Sequence, residues 1–226
     1  MKSPTAPSRA VLLRMLQRDV PPNVFNPWVQ RDALTDLPAA AAAARLRRLA
    51  AHLATEARCV LVGEAAGYQG CKVSGIAFTS ERLIIEGGIP RVAVATGTRL
   101  SLRPRPWSEP SATTVWKTLH ELGIASCTVL WNAYPWHPHR PGEPHSNRAP
   151  TRAELQAGLP VLASLLRLFP QARVFAVGRH AGHSLAMLAV DAVVLRHPSM
   201  GGAATFARQL REQLRRDSAA TGGAAV

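Results

Sequence analysis

The sequence lacks the features that mark several common classes of protein. Its 226 residues include 3 cysteines, Cys59, Cys71 and Cys127, with no Cys-X-X-Cys pair, so neither a disulfide scaffold nor a cysteine-based metal site is indicated. No apolar run approaches the roughly 20 residues of a membrane span. The apolar stretch near the N-terminus is too short for a secretory signal. We therefore expect a cytoplasmic protein with no membrane partner.

A complete nucleotide-binding motif is also missing. The segment GEAAGYQGCKVSGIAF (residues 63–78) follows the apolar run CVLV and is rich in glycine. It has no Gly-Lys-Ser/Thr ending and no Gly-X-Gly-X-X-Gly pattern, so it matches neither a Walker loop nor a dinucleotide fingerprint. Because glycine has no Cβ and tolerates positive φ, such a loop lets a ligand approach the backbone closely. The segment is therefore a candidate ligand-binding loop.

Acidic residues are scarce relative to basic ones. Lys plus Arg number 27 and Asp plus Glu number 14, which gives a formal net charge of +13, and arginine supplies nearly all of the positive charge. Arginine suits bidentate contacts with phosphate, so the charge favours a polyanionic partner such as nucleic acid. The alternative is a solvated surface in a proteome rich in Arg and Ala.

Apolar strands alternate with amphipathic helices along the chain. The candidate strands are residues 58–62, 127–131, 173–177 and 192–195. This alternation predicts one α/β domain, residues 1–226, with a parallel sheet that is covered on both faces. We expect residues 1–38 to form an irregular N-terminal wrap and residues 217–226 to form a disordered tail.

Helix signals place further elements between these strands. Residues 39–57 predict an amphipathic helix with Arg45, Arg47 and Arg48 on or near the face opposite its leucines. Ser111 is the predicted N-cap of the helix in SATTVWKTLHELG, and Thr151 is the predicted N-cap of the next helix.

Polar or glycine-rich residues follow each of the four strands. The four segments are GEAAGYQG, NAYPWHPH, GRHAGHS and RHPSMGG. Because the carboxyl ends of parallel strands share one edge of a sheet, ligands in such folds bind beyond that edge. The sequence therefore predicts one site at this edge.

Side chains in or near these segments meet the needs of an enzyme that removes a nucleobase from DNA. Such an enzyme flips the base into a pocket, where an aromatic ring such as Phe78 can cover its face. An amide such as Asn132 can recognise the base edge through paired donor and acceptor atoms. The departing base carries negative charge, which a donor such as His197 can stabilise. Glu64 is the carboxylate that can balance a developing oxocarbenium and orient water.

The order of these motifs resembles the uracil-DNA glycosylase superfamily. The matching segments are Gly63-Glu64-Ala65-Ala66-Gly67, Asn132, Asn147-Arg148-Ala149-Pro150-Thr151 and His197-Pro198-Ser199. They are similar to the GEAPG, strand-ending Asn, NRxPT and HP[SA] motifs of that family, and the likeness runs from about residue 58 to residue 210. Each motif is short, and it is their order at the strand exits that carries the resemblance.

The resemblance implies a three-layer α/β/α sandwich with a central four-stranded parallel sheet. It also implies hydrolysis of the bond between uracil and deoxyribose. By motif match, Phe78 would stack on uracil, Asn132 would read its edge and His197 would hydrogen-bond its oxygen. Backbone N–H groups near Gly63 and Ala65 would line the pocket. We expect the side chains of Phe78, Asn132 and His197 to face one shared cavity.

The resemblance also places residues against DNA. Ser199 in the HPS segment would press on the DNA backbone, and Met200 after it would act as an apolar wedge in the vacated stack. Arg179 lies at a predicted helix start after the third strand, where it can contact phosphate. Arg148 and Arg196 are further predicted DNA contacts. The expected partner is uracil-containing DNA, single- or double-stranded, bound by a monomer.

The chain departs from the family pattern at three points. Ala65 stands where the best-known branch has its water-positioning Asp, and Gly67 aligns with the Tyr that excludes the thymine methyl group, although Tyr68 is adjacent. The GEAPG branch usually holds an iron–sulfur cluster on four cysteines, whereas the cysteines here are three and differently placed. We therefore expect an atypical branch with no cofactor, in which Glu64 substitutes for the Asp.

Alternatives stay open at several of these residues. Glu64 could cap a turn, Phe78 could be an ordinary core residue, and Tyr68 could lie in the pocket wall or at the surface. Two other functions also stay open. One is a protein that binds uracil or an abasic site with little turnover, and the other is a glycosylase for a different damaged or mismatched base.

Three histidines in the loop of residues 132–150 resemble a metal-binding cluster in the sequence. They are His137, His139 and His145. Their loop is rich in proline and offers no supporting Cys or acidic ligand, so we expect no metal site.

Overall fold

The fold is seen in a computed structural model that describes residues 8–37, 41–92 and 99–222, with side chains as far as residue 216. Parts of the predicted N-terminal wrap and tail lie outside the described residues, namely residues 1–7, 38 and 223–226. The described part forms a four-stranded sheet with helices on both faces.

The central sheet consists of parallel strands. They are β2 (Cys59–Ala65), β3 (Thr128–Tyr134), β5 (Arg173–Val177) and β6 (Val193–Leu195). Their order across the sheet is β3-β2-β5-β6, and each pairing between neighbours is parallel. A separate antiparallel pair joins β1 (Val24–Phe25) to β4 (His137–Pro138).

Helices fill the connections between the strands. They are α1 (Arg9–Leu16), α2 (Ala41–His52), α3 (Cys71–Ser74), α4 (Glu81–Ile85), α5 (Pro110–Glu121), α6 (Arg152–Leu168), α7 (Arg179–Ala186) and α8 (Ala203–Gly222). One 3₁₀ turn, Ala125–Cys127, precedes β3.

The strands are buried because helices cover both faces of the sheet. Side chains alternate along β2, so Val60 and Val62 pack with α1, α6 and α7, whereas Leu61 packs with α5 and α8 on the other face. Continuous apolar runs of this kind are typical of a doubly covered parallel sheet. The predicted three-layer α/β/α sandwich with a central four-stranded parallel sheet is confirmed.

β2 and β3 run further toward the carboxyl edge than the sequence predicts. β2 ends at Ala65 and β3 ends at Tyr134. Gly63 pairs with Asn132 across the two strands. Glu64 therefore belongs to a strand rather than to a loop, and the sheet itself fixes where the backbone of Asn132 lies.

The NRAPT segment forms the start of α6. Thr151 is the N-cap, and its hydroxyl accepts a hydrogen bond from the backbone N–H of Glu154, whose carboxylate accepts one from the N–H of Thr151. Arg148 adds a bidentate ion pair with Glu154 at 2.7 and 2.8 Å. The predicted N-cap is confirmed, and the segment also has a structural role at the beginning of this helix.

α5 begins two residues earlier than its predicted N-cap, Ser111, implies. Pro110 is its first residue and Glu109 is its N-cap, so the prediction that Ser111 caps this helix is wrong. Proline is favoured in the first turn, because the N–H that it lacks would have no helical partner there. The side chain of Glu109 makes no capping hydrogen bond, which leaves its carboxyl group for other contacts.

The N-terminal segment covers α2 and buries arginines of that helix. Arg45 is fully buried and donates two hydrogen bonds to the carboxylate of Asp36, at 3.0 and 2.8 Å. Arg48 is buried as well. The sequence predicts only that these arginines lie on or near the face opposite the leucines, and their burial could not be predicted, because the pattern of one helix cannot show that a distant segment packs over it.

The C-terminal helix α8 extends as far as Gly222. The structure therefore gives a helix over residues 217–222, where the sequence analysis predicts disorder. Among the helices in the described part of the chain, none is both long and apolar enough to cross a membrane.

Candidate active site

A cavity of about 360 Å³ opens at the carboxyl edge of the sheet. It lies between the ends of β2 and β3, the loop after β2, the segment before α6 and the segment after β6. The sequence-predicted residues that line it are Glu64, Ala65, Phe78, Asn132, Arg148, His197 and Ser199. Phe78, Asn132 and His197, which the sequence predicts to share one cavity, are all among them.

Gly63 allows an aromatic ring and an amide to meet at this edge. A Cβ at Gly63 would lie 2.6 Å from Cζ of Phe78 and 2.9 Å from Oδ1 of Asn132, closer than such atoms tolerate. Phe78 has a φ of +47°, an uncommon value for a residue with a side chain. The surrounding structure must therefore impose its position. The result is a ring and an amide side by side, as a slot for a planar molecule requires.

His197 lies next to the aromatic ring and has a defined tautomer. Its ring centroid is 5.9 Å from that of Phe78. The backbone N–H of Ser199 donates a hydrogen bond to Nδ1 at 3.1 Å, and the Ser199 hydroxyl lies 2.7 Å from the same atom. Because a backbone N–H only donates, Nδ1 carries no proton, and in the neutral imidazole the proton is on Nε2. Burial, and secondarily Arg196, lowers the pKa of His197, which favours the neutral form.

Glu64 lies on the rim between two cavities. It lines the first cavity and also a second cavity of about 700 Å³. Its side chain is 31 % exposed, and its Oε1 lies 4.0 Å from Nδ1 of His180. The carboxylate is therefore in contact with solvent, and it can approach a molecule in the first cavity from the open side.

Basic residues border the second cavity at the ends of β5 and β6. Arg179, His180 and Arg196 line it, and their side chains are exposed. Arg179 is the first residue of α7, where unpaired backbone N–H groups favour an anion. The predicted DNA contacts Arg179 and Arg196 are thus neighbours of the first cavity, and their binding to phosphate stays a prediction.

The remaining predicted residues fall into three situations. Met200 is 91 % exposed, with a φ of +52°, in the turn after the HPS segment. Arg148 lines the cavity, but its guanidinium is engaged by Glu154. Tyr68 does not line the cavity, because its ring packs edge-on against Trp107 with centroids 5.6 Å apart. The structure therefore places Met200 where a wedge can act and keeps Tyr68 out of the pocket wall.

One cavity residue, Glu109, escaped the sequence analysis. Its carboxyl group lines the cavity, and its Oε2 atom is buried with no hydrogen-bond partner in the part of the chain that the structure describes. Burial raises the pKa of this carboxyl group to about 7. A Cβ at Gly70 would collide with Oε2, and a Cβ at Gly67 would lie 3.2 Å from Oε1. The sequence signal that could have found it is Pro110, which marks a helix start and makes Glu109 the N-cap.

The loop histidines support the structure of the site. Nδ1–H of His137 donates to the carbonyl oxygen of Ala66 at 2.7 Å and so holds the beginning of the loop after β2. Nε2 of His145 lies 2.8 Å from a carboxylate oxygen of Asp32. In the described ranges, no three His, Cys, Asp or Glu side chains are grouped so that they could hold a metal ion. The cysteines Cys59, Cys71 and Cys127 are free thiols.

Comparison with known proteins identifies the family of the chain and a similar fold. The sequence matches the family model described as the uracil DNA glycosylase superfamily over residues 50–217. The fold is similar to the crystal structure of wild-type Pedobacter heparinus SMUG2, with a TM-score of 0.59 and 14% identity, covering 92% of this chain and 96% of that chain. No sequence among the curated proteins matches the chain. The family match supports a DNA glycosylase, a hydrolase that acts on DNA.

Proposed function

Because the chain belongs to the uracil DNA glycosylase superfamily, we propose that it hydrolyses the N-glycosidic bond of uracil in DNA. The nucleotide is flipped out of the stack, free uracil is released, and an abasic site remains in the strand. The observation that carries this proposal is the placement of Phe78, Asn132 and His197 around one cavity at the carboxyl edge of the sheet.

Uracil binds between an aromatic ring and an amide. Phe78 covers one face of the base, because stacking on an aromatic ring is favourable for any planar base. Asn132 is 5% exposed and offers one acceptor and one donor that complement N3–H and O4 of uracil. Cytosine presents an acceptor at N3 and a donor at C4. The amide orientation that suits uracil therefore opposes cytosine.

His197 stabilises the departing base. As the glycosidic bond breaks, its electron pair stays with the base and negative charge develops on O2. The Nε2–H of a neutral imidazole, fixed by the Ser199 N–H at Nδ1, can donate a hydrogen bond to that oxygen. A preorganised donor in a site with little water stabilises such charge more than a donor in bulk solvent.

Glu64 acts on the sugar side of the reaction. The deoxyribose becomes an oxocarbenium ion, which a nearby carboxylate stabilises and which water then attacks. Glu64 lines the cavity with its carboxylate partly in solvent. It can therefore hold a water molecule that arrives from the open side. Water adds its oxygen to the sugar carbon, and its proton neutralises the released base.

The DNA strand lies along the second cavity and the turn after β6. Arg179 and Arg196 border that cavity and contact phosphates, since both are exposed beside the base pocket. Met200 projects from the same edge and fills the space that the flipped base leaves in the stack. The net charge of +13 supports binding to the polyanion in general.

The test uses an oligonucleotide with one uracil, in single- and double-stranded form. The wild-type protein releases free uracil over multiple turnovers, whereas His197→Ala loses about 100-fold or more of the rate, the usual effect of removing such a donor. His183→Ala is the matched control, because His183 is exposed on α7 and lines neither cavity. Equal rates for His197→Ala and the wild type would refute this role for His197.

A second function is favoured by the position of the rim carboxylate. Ala65 offers no catalytic group, and Glu64 has His180 near its carboxylate. In this second function, the protein binds uracil or an abasic site tightly and releases product slowly or not at all. A stable complex with uracil-containing DNA, with no free uracil after prolonged incubation, is the outcome that selects this function over the first.

Our proposal includes a monomer that works in the cytoplasm. Free thiols at all three cysteines suit a reducing compartment. Sedimentation equilibrium tests the first statement, and a species heavier than one chain would refute it. Cell fractionation tests the second, and recovery of the protein outside the cytoplasmic fraction would refute it.

A further inference from the structure

Two polar side chains, His180 and Glu64, face each other across a gap that is too wide for a direct hydrogen bond. His180 is the second residue of α7, and its Nδ1 lies 4.0 Å from Oε1 of Glu64 on β2. A hydrogen bond between such atoms is about 2.7 to 3.2 Å long. In the described ranges, neither side chain has a hydrogen-bond partner. A gap of this width between two polar atoms is typical of a bridging water.

The gap has the size and chemistry that one water molecule needs. A water about 2.8 Å from both atoms would see them at an angle of roughly 90°, close to the angle between its own two O–H bonds. An ionised carboxylate accepts hydrogen bonds only, and the unprotonated Nδ1 of a neutral imidazole also accepts. The side chains of Glu64 and His180 are 31% and 69% exposed, and both line the second cavity. Water therefore reaches the gap from solvent.

The arrangement of the two cavities decides on which side of a bound nucleotide this water lies. Glu64, His197 and Ser199 line both cavities and so form the border between them, whereas His180 lines the second cavity and not the first. In the proposed function, on which this inference rests, the base occupies the first cavity, so the sugar lies at the border. Water that attacks the sugar directly must approach on the face opposite the departing base. The gap lies on that side.

We propose that His180 is a positioning residue that holds the attacking water together with Glu64. The water donates one hydrogen bond to Oε1 of Glu64 and the other to Nδ1 of His180, so its lone pairs face away from both groups and toward C1′ of the sugar. The bond between C1′ and N1 breaks, and its electron pair leaves with the base. The water oxygen bonds to C1′, and its proton passes to Glu64 and then, through solvent, to the released base.

The competing role for His180 is a contact with a DNA phosphate, since Arg179 and Arg196 line the same cavity. The two roles affect different measurements. A phosphate contact contributes to affinity, whereas a group that positions water contributes to the chemical step and leaves the affinity unchanged. The rate of uracil release in a single turnover, with the protein in saturating excess, reports the chemical step. The affinity is measured by fluorescence anisotropy with an oligonucleotide that contains 2′-fluoro-2′-deoxyuridine, whose fluorine opposes the oxocarbenium ion and so slows cleavage.

Matched variants of His180 separate these roles. We expect His180→Ala to lower the single-turnover rate about 10- to 100-fold, since a misplacement of about 1 Å has effects up to that size, and to bind the fluorinated oligonucleotide as the wild type does. His180→Asn puts an amide oxygen near the place of Nδ1 and should recover most of the rate. His183→Ala, a change at an exposed histidine of the same helix that lines neither cavity, should keep the wild-type rate.

A double-mutant cycle tests whether the two groups act on the same water. Either change alone, His180→Ala or Glu64→Gln, removes one of the two hydrogen bonds that fix the water. The second change then has less left to remove, so the double variant should lose clearly less than the product of the two single losses. Losses that multiply would show that the groups act independently and would overturn the inference.

The remaining outcomes separate a failure of the inference from a failure of the proposed function. If the wild type releases no uracil, the proposed function and this inference are both refuted. If the wild type releases uracil and His180→Ala matches its rate, only the inference is overturned. Weaker binding by His180→Ala with an unchanged single-turnover rate would assign His180 to phosphate instead. An Asn variant as slow as His180→Ala would also refute the role of Nδ1.

Discussion

Gly63 and Asn132 are direct partners in the register of β2 and β3. Because Gly63 has no Cβ, the Asn132 amide can occupy the space beside it. A Cβ at Gly63 would also lie 2.6 Å from Phe78. We predict that Gly63→Ala displaces both groups and lowers uracil release about 100-fold, since a misplacement of about 1 Å in a site has effects of that size. Single-turnover release measures this loss.

The control for this change is another glycine replaced by alanine. Gly88→Ala is suitable, because a Cβ there would come no closer than 3.4 Å to its nearest neighbour, the carbonyl oxygen of Leu83. It should keep the wild-type rate. Wild-type release by Gly63→Ala would show that the close packing of Phe78 and Asn132 is not needed for the site.

His52 makes the fold sensitive to acid. It is fully buried in the neutral form, and its Nε2 accepts a hydrogen bond from the backbone N–H of Leu130 at 2.9 Å. Burial lowers its pKa to about 3. In the unfolded chain, the His52 side chain therefore binds a proton as the pH falls through about 6.5. In the folded chain it stays neutral until the pH is near 3. Stability from this group is full above pH 6.5 and is lost as the pH falls toward 3, by up to about 1.4 kcal/mol per pH unit.

Urea unfolding from pH 7 to pH 4 measures this loss. His52→Gln keeps an acceptor for Leu130 and does not titrate, so its unfolding free energy should depend less on pH than that of the wild type over this range. His183→Gln, a change at an exposed histidine, should follow the wild type. Parallel curves for His52→Gln and the wild type would contradict the role of His52.

Glu109 has the opposite effect on stability. Burial raises its pKa from 4.5 to about 7, so the folded protein holds a proton that the unfolded chain has already released. The contribution of Glu109 to the free energy of unfolding is therefore full below pH 4.5 and is lost as the pH rises through 7. We predict that Glu109→Gln, which stays neutral, becomes about 1 to 3 kcal/mol more stable relative to the wild type above pH 7, the usual size of an unpaired buried polar group.

The difference between Glu109→Gln and the wild type at each pH isolates this one group, because all other titrations occur in both proteins. Urea unfolding at pH 5 and pH 8 gives the two values that matter. A difference that is the same at both pH values would show that the carboxyl group is not titrating in this window.

Features with local causes could be predicted from the sequence. Thr151 and Glu154 form a capping box within one turn, and the pattern of one segment is enough to reveal it. Buried strands can be recognised in the sequence as apolar runs, and the polar residues that follow them predict a site at the carboxyl edge of the sheet. Asn132 and His197 were found in this way, and both line the cavity.

Contacts between distant segments could not be predicted in the same way. Arg45 is buried because Asp36 lies in a segment that packs over α2, and Glu109 reaches the cavity because Gly70 makes room for it. Neither partner can be recognised from the pattern around the other. The surroundings of Glu64 were also beyond the sequence, since they depend on β2 continuing to Ala65 and on the approach of His180.

The basic border of the second cavity should appear in the salt dependence of DNA binding. Arg179 and Arg196 are exposed beside the base pocket. If each neutralises one phosphate, each Arg→Ala change lowers the slope of log K against log[salt] by about one. Affinity should fall for every sequence alike, because phosphate contacts carry no base information. Fluorescence anisotropy with a labelled uracil oligonucleotide at several salt concentrations measures the slope.

The matched arginine is Arg58, which is exposed at the start of β2, on the opposite edge of the sheet. Arg58→Ala removes the same charge from the protein as a whole but from a surface that the proposed DNA path does not reach. Its slope should remain that of the wild type. If Arg58→Ala lowers the slope as much as Arg179→Ala and Arg196→Ala, then total charge rather than the border of the second cavity governs binding, and the proposed path of the strand is wrong.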